Sequence, residues 1–511
     1  MTNKGAAVSW SVPVPVQPER VPTLAIGALF SDLEGEFRRL SCDPQTDECV
    51  YVAAMSERFE VSVMWFRRDL RLRDNPALIE AANQSRRVVA LYVVDPDEFD
   101  RFGAPKQAFV VASLAALDGD LDNRLCIRSG EPSSVVAAVA KEANADAVFC
   151  AAGAFGLETA VEDSVDKTLG DAGCRLNAVG SPYVIDPGFI VNDQGGPYKV
   201  FMPYFNRWLA HDPGEVRQAP RNLDLIKLAS DPLPTVPKVD CQIPEPGEVG
   251  AKNRLARFLE SGLENYEVKR DHPGVEGTSM LSAYLNIGCI HPRQVIAAVR
   301  TKKHERDKNA VAFVREIAFR DFYADSVFHN PWLVNQSMDG KLSRLEQDSG
   351  DLADHRFEAW CKGMTGYPIV DAGMRQLLAT GWMHNRVRMI VASFLVKDLH
   401  IDWQRGAQWF MDHLVDGDEA NNSLGWQWVA GTGPGAAPFF RVFNPVTQSE
   451  KFDKAAKFIR AYVEELQDVP DRYVHAPWKD PDGLRRIIRR RSWTTPKKGA
   501  MRWLDTQSFE R

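Results

Sequence analysis

Residues 61–95, VSVMWFRRDLRLRDNPALIEAANQSRRVVALYVVD, place two short apolar runs, VSVMWF and VVALYVV, on either side of a helix-like stretch. Apolar runs of that length, closed off by charge, read as strands buried on both faces. DAVFC (146–150) is a third. Such runs separated by helical patterns make βαβ units, so a doubly wound parallel sheet in an α/β domain over 61–186 is expected. The strand ends carry Arg67, Arg68, Asp69 and Asp95, polar residues at the edge where such sheets bind ligands. No G-x-G-x-x-G follows the first strand, which weakens a dinucleotide reading.

Outward from that core the pattern changes twice. Residues 187–250 hold Pro187, Pro213, Pro220, Pro232, Pro234, Pro237, Pro244 and Pro246, a spacing no helix survives, so they read as a connector. One island inside it, YKVFMPYFNRWL (198–209), is aromatic-rich and expected to pack against a domain. From 251 to 480 apolar residues recur every three to four positions, as in AKNRLARFLESGLENY and NAVAFVREIAFRDFYADSVF, which predicts an all-helical domain. Residues 1–60 lack that organisation. They read either as an extension without a packed core or as sequence upstream of a start at Met55. A tail over 481–511 is basic, with Arg485, Arg486, Arg489, Arg490, Arg491, Lys497 and Lys498.

Composition narrows the function. The chain has 511 residues, 44% hydrophobic and 26% charged, which excludes collagen, coiled coil and wholesale disorder and predicts two to four domains. No apolar run approaches the ~18–20 residues of a membrane span. A net charge of −7 means that any DNA site is a local basic patch. Eight cysteines without a C-x-x-C pair point to a reducing cytoplasm and give no metal site. Of thirteen tryptophans, eight fall between 332 and 478, where a functional reason is expected.

Four stretches in the helical half carry polar groups that an amphipathic core does not need. EGTSMLSAYL sets Thr278, Ser279 and Ser282 at the start of an apolar helix, either a phosphate site or a plain cap. REIAFRDFY puts Glu316 and Arg320 at i,i+4, by itself an ordinary helix pair. GWMHNRVRM brings Asn385, Arg386 and Arg388 beside Trp382, and LVDGDEANNSLGWQW joins Asp416, Asp418, Asn421 and Asn422 to Trp426 and Trp428. Hydroxyls for a pyrophosphate, Arg and Asp for a heterocycle's edge, and nearby indoles make the inventory of a flavin or nucleotide pocket.

With these motifs in this order the chain resembles the photolyase/cryptochrome family from about 61 to 478, most closely class I cyclobutane pyrimidine dimer photolyases. The strongest parts are MWFRRDLRLRDNPAL, EGTSMLSAYLNIGCIHPRQ, TGYPIVDAGMRQLLATGWMHNRVRMIVASFLVKDL and DGDEANNSLGWQW. The resemblance implies an N-terminal α/β antenna domain, a helical domain holding FAD, and light-driven repair of pyrimidine dimers in UV-damaged DNA by electron transfer from reduced FAD. It implies a monomer and a light-dependent carbon–carbon lyase. Cofactor contacts are implied for Tyr266, Thr278, Ser279, Met280, Leu281, Ser282, Arg320, Asn385, Arg388, Asp416, Asp418 and Asn422, with Asn422 at flavin N5. Glu316 is implied to hold both cofactor and lesion, and Trp426 and Trp403 to carry electrons to the flavin. Arg270, Phe319, Arg386, Met389, Trp428 and Arg441 are implied for DNA and lesion.

Four departures bear on this. Phe319 replaces a stacking tryptophan. SRLEQDSGDL (343–352) lacks the distal tryptophan of the electron chain, and the basic tail replaces a proline-rich ending. In AAGAFGLETAVEDSV, Ala152 and Gly156 stand where folate-binding relatives carry Asn and Glu, which leaves a second, antenna chromophore of folate or deazaflavin type unidentified. The rival readings are a blue-light-sensing cryptochrome that binds FAD without repair and, more remotely, a flavin-free binding protein on the same scaffold. Asn422 favours repair: an amide at N5 interacts without adding charge.

Overall fold

Strand β3 (Phe59–Phe66) alternates Val61, Val63 and Trp65 with Met64 and Phe66, all buried, and a strand sends alternate side chains to opposite faces. The first set joins a cluster under helices α3 (Pro132–Ala143) and α4 (Leu157–Asp171); the second joins one under α1 (Pro76–Gln84) and α2 (Ala104–Asp120). Both faces are therefore covered, as a parallel sheet requires. With β4 (Ser85–Val94), β5 (Leu125–Ser129), β6 (Ala147–Cys150) and β7 (Arg175–Ala178) the order is β5-β4-β3-β6-β7, and every pairing is parallel. The chain leaves β3 for β4 on one side and reaches β6 on the other, a switch point that opens a crevice beyond the strand ends.

These features belong to a computed structural model, which describes residues 37–42, 49–53, 58–303, 306–338, 347–435 and 442–480. Arg441, the tail 481–511, residues 1–36 and 343–346 lie outside the described residues. Residues 1–58 form a unit of their own. In it β1 (Phe37–Cys42) and β2 (Cys49–Ala53) pair antiparallel, with Cys42 opposite Cys49 in register; their side chains lie outside the description.

The chain from Phe59 onward forms a single unit. One apolar core runs from the α1/α2 face of the sheet through Leu281, Tyr284, Ile296, Phe313 and Phe322, so the sheet and the first helices of the second half share it. A second core, with Trp360, Met383, Val391, Trp403 and Trp426, lies wholly in the later helices. Most of the proline-punctuated connector has no regular structure and clasps the sheet. Val88 donates to Asp224 and Ile226 donates to Val88, at 2.8 and 2.9 Å. The aromatic island forms α5 (Phe201–Leu209) and packs as expected: its Phe201, Tyr204, Phe205 and Trp208 are buried.

Helices α6 (Gly247–Arg257), α7 (Ser282–Ile287), α8 (Pro292–Lys302), α9 (Lys308–His329), α10 (Asp351–Cys361), α11 (Pro368–Thr380), α12 (Asn385–Ser393), α13 (Trp403–His413) and α14 (Glu419–Ala430) follow. Among the described residues no helix is long and apolar enough to cross a membrane, and no group of three His, Cys, Asp or Glu could hold a metal.

Candidate functional site

The centre of the helical half is built where α12 and α14 begin. His384 caps α12, its Nδ1 accepting the Arg386 N–H at 3.2 Å. One turn on, Arg388 Nη2 lies 3.0 and 2.8 Å from the two oxygens of Asp416, and Nε donates to the Met383 carbonyl. The Asp416 side chain is 2% exposed and that of Arg388 25%, so the pair is screened on the acid's side and open on the other. Two residues later Asp418 caps α14, Oδ1 accepting from the Asn421 N–H and side-chain amide at 2.9 and 2.8 Å. Its Oδ2 accepts from Arg68 Nη2 at 3.0 Å and Asn286 Nδ2 at 3.2 Å. A carboxylate offers about four acceptor positions, and all are taken by protein. Burial pushes its pKa up, but Arg68, Arg320 and the Asn421 N–H outweigh this and hold it down to about 2. Asp418, implied as a cofactor contact, thus caps α14 and carries an ion pair to Arg68.

Asn422 follows in the first turn of α14, and its Nδ2 donates to the Ala407 carbonyl at 2.9 Å. That bond fixes the amide and turns Oδ1 out as an acceptor. Asn385, the first residue of α12, is exposed. On the phosphate side α7 starts at Ser282, itself exposed, and no side chain caps it, so Thr278 and Ser279 do not act as plain caps. Their carbonyls accept from Arg254, and Met280 turns the chain at φ +52°. Leu281 and Tyr266 are buried, Tyr266 between Phe258 and Phe313. An uncapped helix start, a free amide acceptor and a half-open Arg–Asp pair match the phosphate, N–H and carbonyl groups of FAD, so the residues present fit that cofactor.

Glu316 and Arg320 do not pair. Glu316 accepts from Arg270 at 2.5 Å, whereas Arg320 donates to the carbonyls of Pro182 and Leu285 and lies over the Tyr183 ring. Arg320, implied as a cofactor contact, thereby ties Pro182, in the segment after β7, to α7. Arg386 pairs with Asp271 at 2.8 Å and sits over Phe452. Both described arginines of the expected DNA rim are held by carboxylates. Met389 and Trp428 are half-buried. Phe319 stacks on Phe201 with ring centroids 3.4 Å apart and planes at 10°, one face of the expected lesion wall being covered by the connector.

Trp426 is 3% exposed and meets Trp360 edge-on at 6.1 Å and Phe410 at 5.1 Å. A Cβ at Gly406 would strike the Trp426 ring, so the α13–α14 crossing needs that glycine. Trp403, also buried, donates Nε1 to Ser337 at 3.2 Å. Trp360 was not singled out as functional from the sequence; its signal there is membership of the eight tryptophans between 332 and 478.

A second candidate lies at the sheet's switch point, a solvent-open cleft. Arg67, Arg68, Tyr92, Arg101, Phe102 and Lys106 line it, with Ala152 and Phe155 of the atypical antenna motif. Lys106 donates to the Gly417 carbonyl at 2.9 Å, and burial pulls its pKa down to about 8.

Known proteins match both halves. The DNA photolyase family model covers residues 62–223, and the model for the FAD binding domain of DNA photolyase covers 313–496. A deoxyribodipyrimidine photo-lyase of Agrobacterium fabrum is 37% identical over 449 residues, spanning 84% of this chain and 93% of that one. Among solved structures, a class III photolyase from Agrobacterium tumefaciens superposes with a TM-score of 0.82 at 34% identity, covering 88% of this chain and 98% of its own. A Synechocystis cryptochrome gives 0.76 at 27%, covering 85% and 95%. A parallel sheet joined to a helical FAD-binding half, matched over 84% of the chain by a relative 37% identical to it, establishes that the chain belongs to the photolyase/cryptochrome family.

Proposed function

We propose that the protein repairs cyclobutane pyrimidine dimers in UV-damaged DNA, driven by blue light. The carrying observation is Asn422: an uncharged amide, locked by the Ala407 carbonyl, on the same helix as Trp426 and Trp428. When held by these residues, reduced FAD would supply light-driven one-electron chemistry to a dimer. The chain's own residues do the rest. Asn385, Arg388 and Asn422 orient the isoalloxazine, with Asp416 holding Arg388 in place. Thr278, Ser279 and Ser282 meet the pyrophosphate, beside Met280, Leu281 and Tyr266. Met389, Trp428 and Phe319 wall the lesion pocket for a dimer flipped from the duplex. Glu316 faces the lesion, and Arg270, Arg386 and Arg441 hold phosphates.

Within the family we expected class I. The similarity to a class III photolyase favours that branch instead. The switch-point cleft is our candidate seat for a second chromophore: Tyr92 and Phe102 offer ring faces, and Arg101 and Lys106 stand among the carboxylates Asp95, Glu98 and Glu158; chromophore extraction decides between folate and deazaflavin types. We further propose a monomer, and a cytoplasmic setting that six free cysteines among the described residues suit.

One observation favours the cryptochrome reading: Phe319 is committed to Phe201. Competition binding in the dark separates the two. Repair predicts preference for dimer-containing over intact DNA, weakened in Trp428→Ala and modestly tightened in Phe319→Trp, since stacking is worth ~1–3 kcal/mol per base. Equal affinity for both DNAs in all three proteins rejects the repair reading.

A further inference from the structure

We infer that Arg68, a residue of the sheet segment remote in sequence from the flavin motifs, positions α14 through Asp418, so that the switch-point cleft and the flavin site are energetically linked. The inference rests on the reading that FAD lies against Asn385, Arg388 and Asn422.

Three consecutive residues are gripped from two sides. Asp416 is held by Arg388 on the flavin side. Gly417 gives its carbonyl to Lys106, and Asp418 pairs with Arg68, both from the cleft. Arg68 has no slack. Nη1 binds Glu158 at 2.8 Å and Nε binds the Asn286 carbonyl at 3.0 Å, while Asn286 itself reaches Asp418 at 3.2 Å. Behind it, Gly288, at φ +77°, sits so close to the Arg68 carbonyl that no Cβ would fit. The other oxygen of Asp418 caps α14, and a side-chain cap of this kind stabilises the helix it starts. Asn422 lies in the turn so capped, and Trp426 and Trp428 lie beyond it.

Arg68, Lys106, Glu158 and Asp418 all line the cleft. An anionic group entering there competes with Asp418 for Arg68 and with the Gly417 carbonyl for Lys106, and either exchange loosens the start of α14. Coupling of two binding equilibria is reciprocal, so whatever the cleft does to the flavin site, FAD does to the cleft. Arg68 is thus a positioning residue: it acts on the flavin site through Asp418 and the helix that Asp418 caps.

The test follows release of FAD from the full-length holoprotein by the rise of flavin fluorescence, with the visible absorption band and thermal unfolding recorded alongside. Arg68→Met is expected to weaken FAD retention by a factor in the ~5–150 range typical of coupled sites and to alter the vibronic structure of the band. Arg68→Lys should recover part of the loss. The double variant Arg68→Met/Asp418→Asn should be no weaker than its weaker parent, because both break one interaction. Wild-type retention in Arg68→Met, no recovery in Arg68→Lys, or additive losses overturn the linkage. If Arg68→Met does not fold, Arg68→Lys and Arg68→Gln are judged against wild type by the same criteria. Arg388→Ala is the control: if it keeps FAD as wild type does, the flavin site itself is misplaced, whereas weak retention there beside full retention in the Arg68 variants rejects the linkage alone.

Discussion

Trp360 meets Trp426 edge-on, ring centroids 6.1 Å apart, and it is fully buried with its indole N–H on the Val391 carbonyl. Trp360 also stacks on Phe357 at 5.8 Å, and Phe357 touches the half-buried Trp409 at 6.5 Å. Trp426→Phe is therefore expected to slow light-driven flavin reduction by an external thiol while repair by pre-reduced protein persists. Trp360→Phe should slow it too, because that ring touches Trp426. Photoreduction at the wild-type rate in Trp360→Phe, with slowing in Trp403→Phe, returns the path to Trp403.

Asp416→Ala leaves Arg388 with only the Met383 carbonyl. Removing one member of a largely buried pair costs ~3–5 kcal/mol. The purified variant should carry well under one FAD per chain, measured from the ratio of flavin to protein absorbance. Full occupancy would refute the assigned role of the pair.

How far these features could be read beforehand follows the range of the interaction. The sheet was legible because VSVMWF and VVALYVV carry their burial on their face, and the buried side of α5 because four aromatics share it. Local caps were half-legible: Asp418 sits where a helix start is plain, yet its partner Arg68 is 350 residues away, and nothing in either motif announces the other. The i,i+4 spacing of Glu316 and Arg320 suggested a pair that does not form, because two carbonyls of distant segments take the guanidinium. Phe319 showed its departure from the family pattern in the sequence, but not that Phe201 covers it.

Arg386 donates to Asp271 from two nitrogens, at 3.2 and 2.8 Å. If it exchanges that carboxylate for a DNA phosphate, Arg386→Ala should weaken damaged and intact DNA alike. It should also flatten the dependence of log affinity on log salt by roughly 0.9. An unchanged slope means Arg386 serves only the Asp271 pair.

His384 is buried, and burial, with Arg386 and Arg388 working against Asp271, pulls its pKa from 6.5 to about 4. The folded state thus refuses a proton that the unfolded chain accepts. Its contribution is fully present above pH 6.5 and is lost as pH falls toward 4, a loss of about 3 kcal/mol. His384→Asn, which keeps a capping oxygen, should flatten the fall in thermal stability between those limits. A variant whose melting temperature drops with acid as steeply as wild type would contradict this.

The repair claim is tested most directly by chemistry on the lesion. The protein is reduced in the dark, mixed with an oligonucleotide containing one thymine dimer, and exposed to blue light while dimer and restored thymines are separated by chromatography. The account predicts that dimers disappear with illumination, that thymines appear in matching amount, and that neither happens in the dark. Dimers that survive illumination while the protein holds reduced FAD and binds the strand would contradict repair and leave the light-sensing reading in its place.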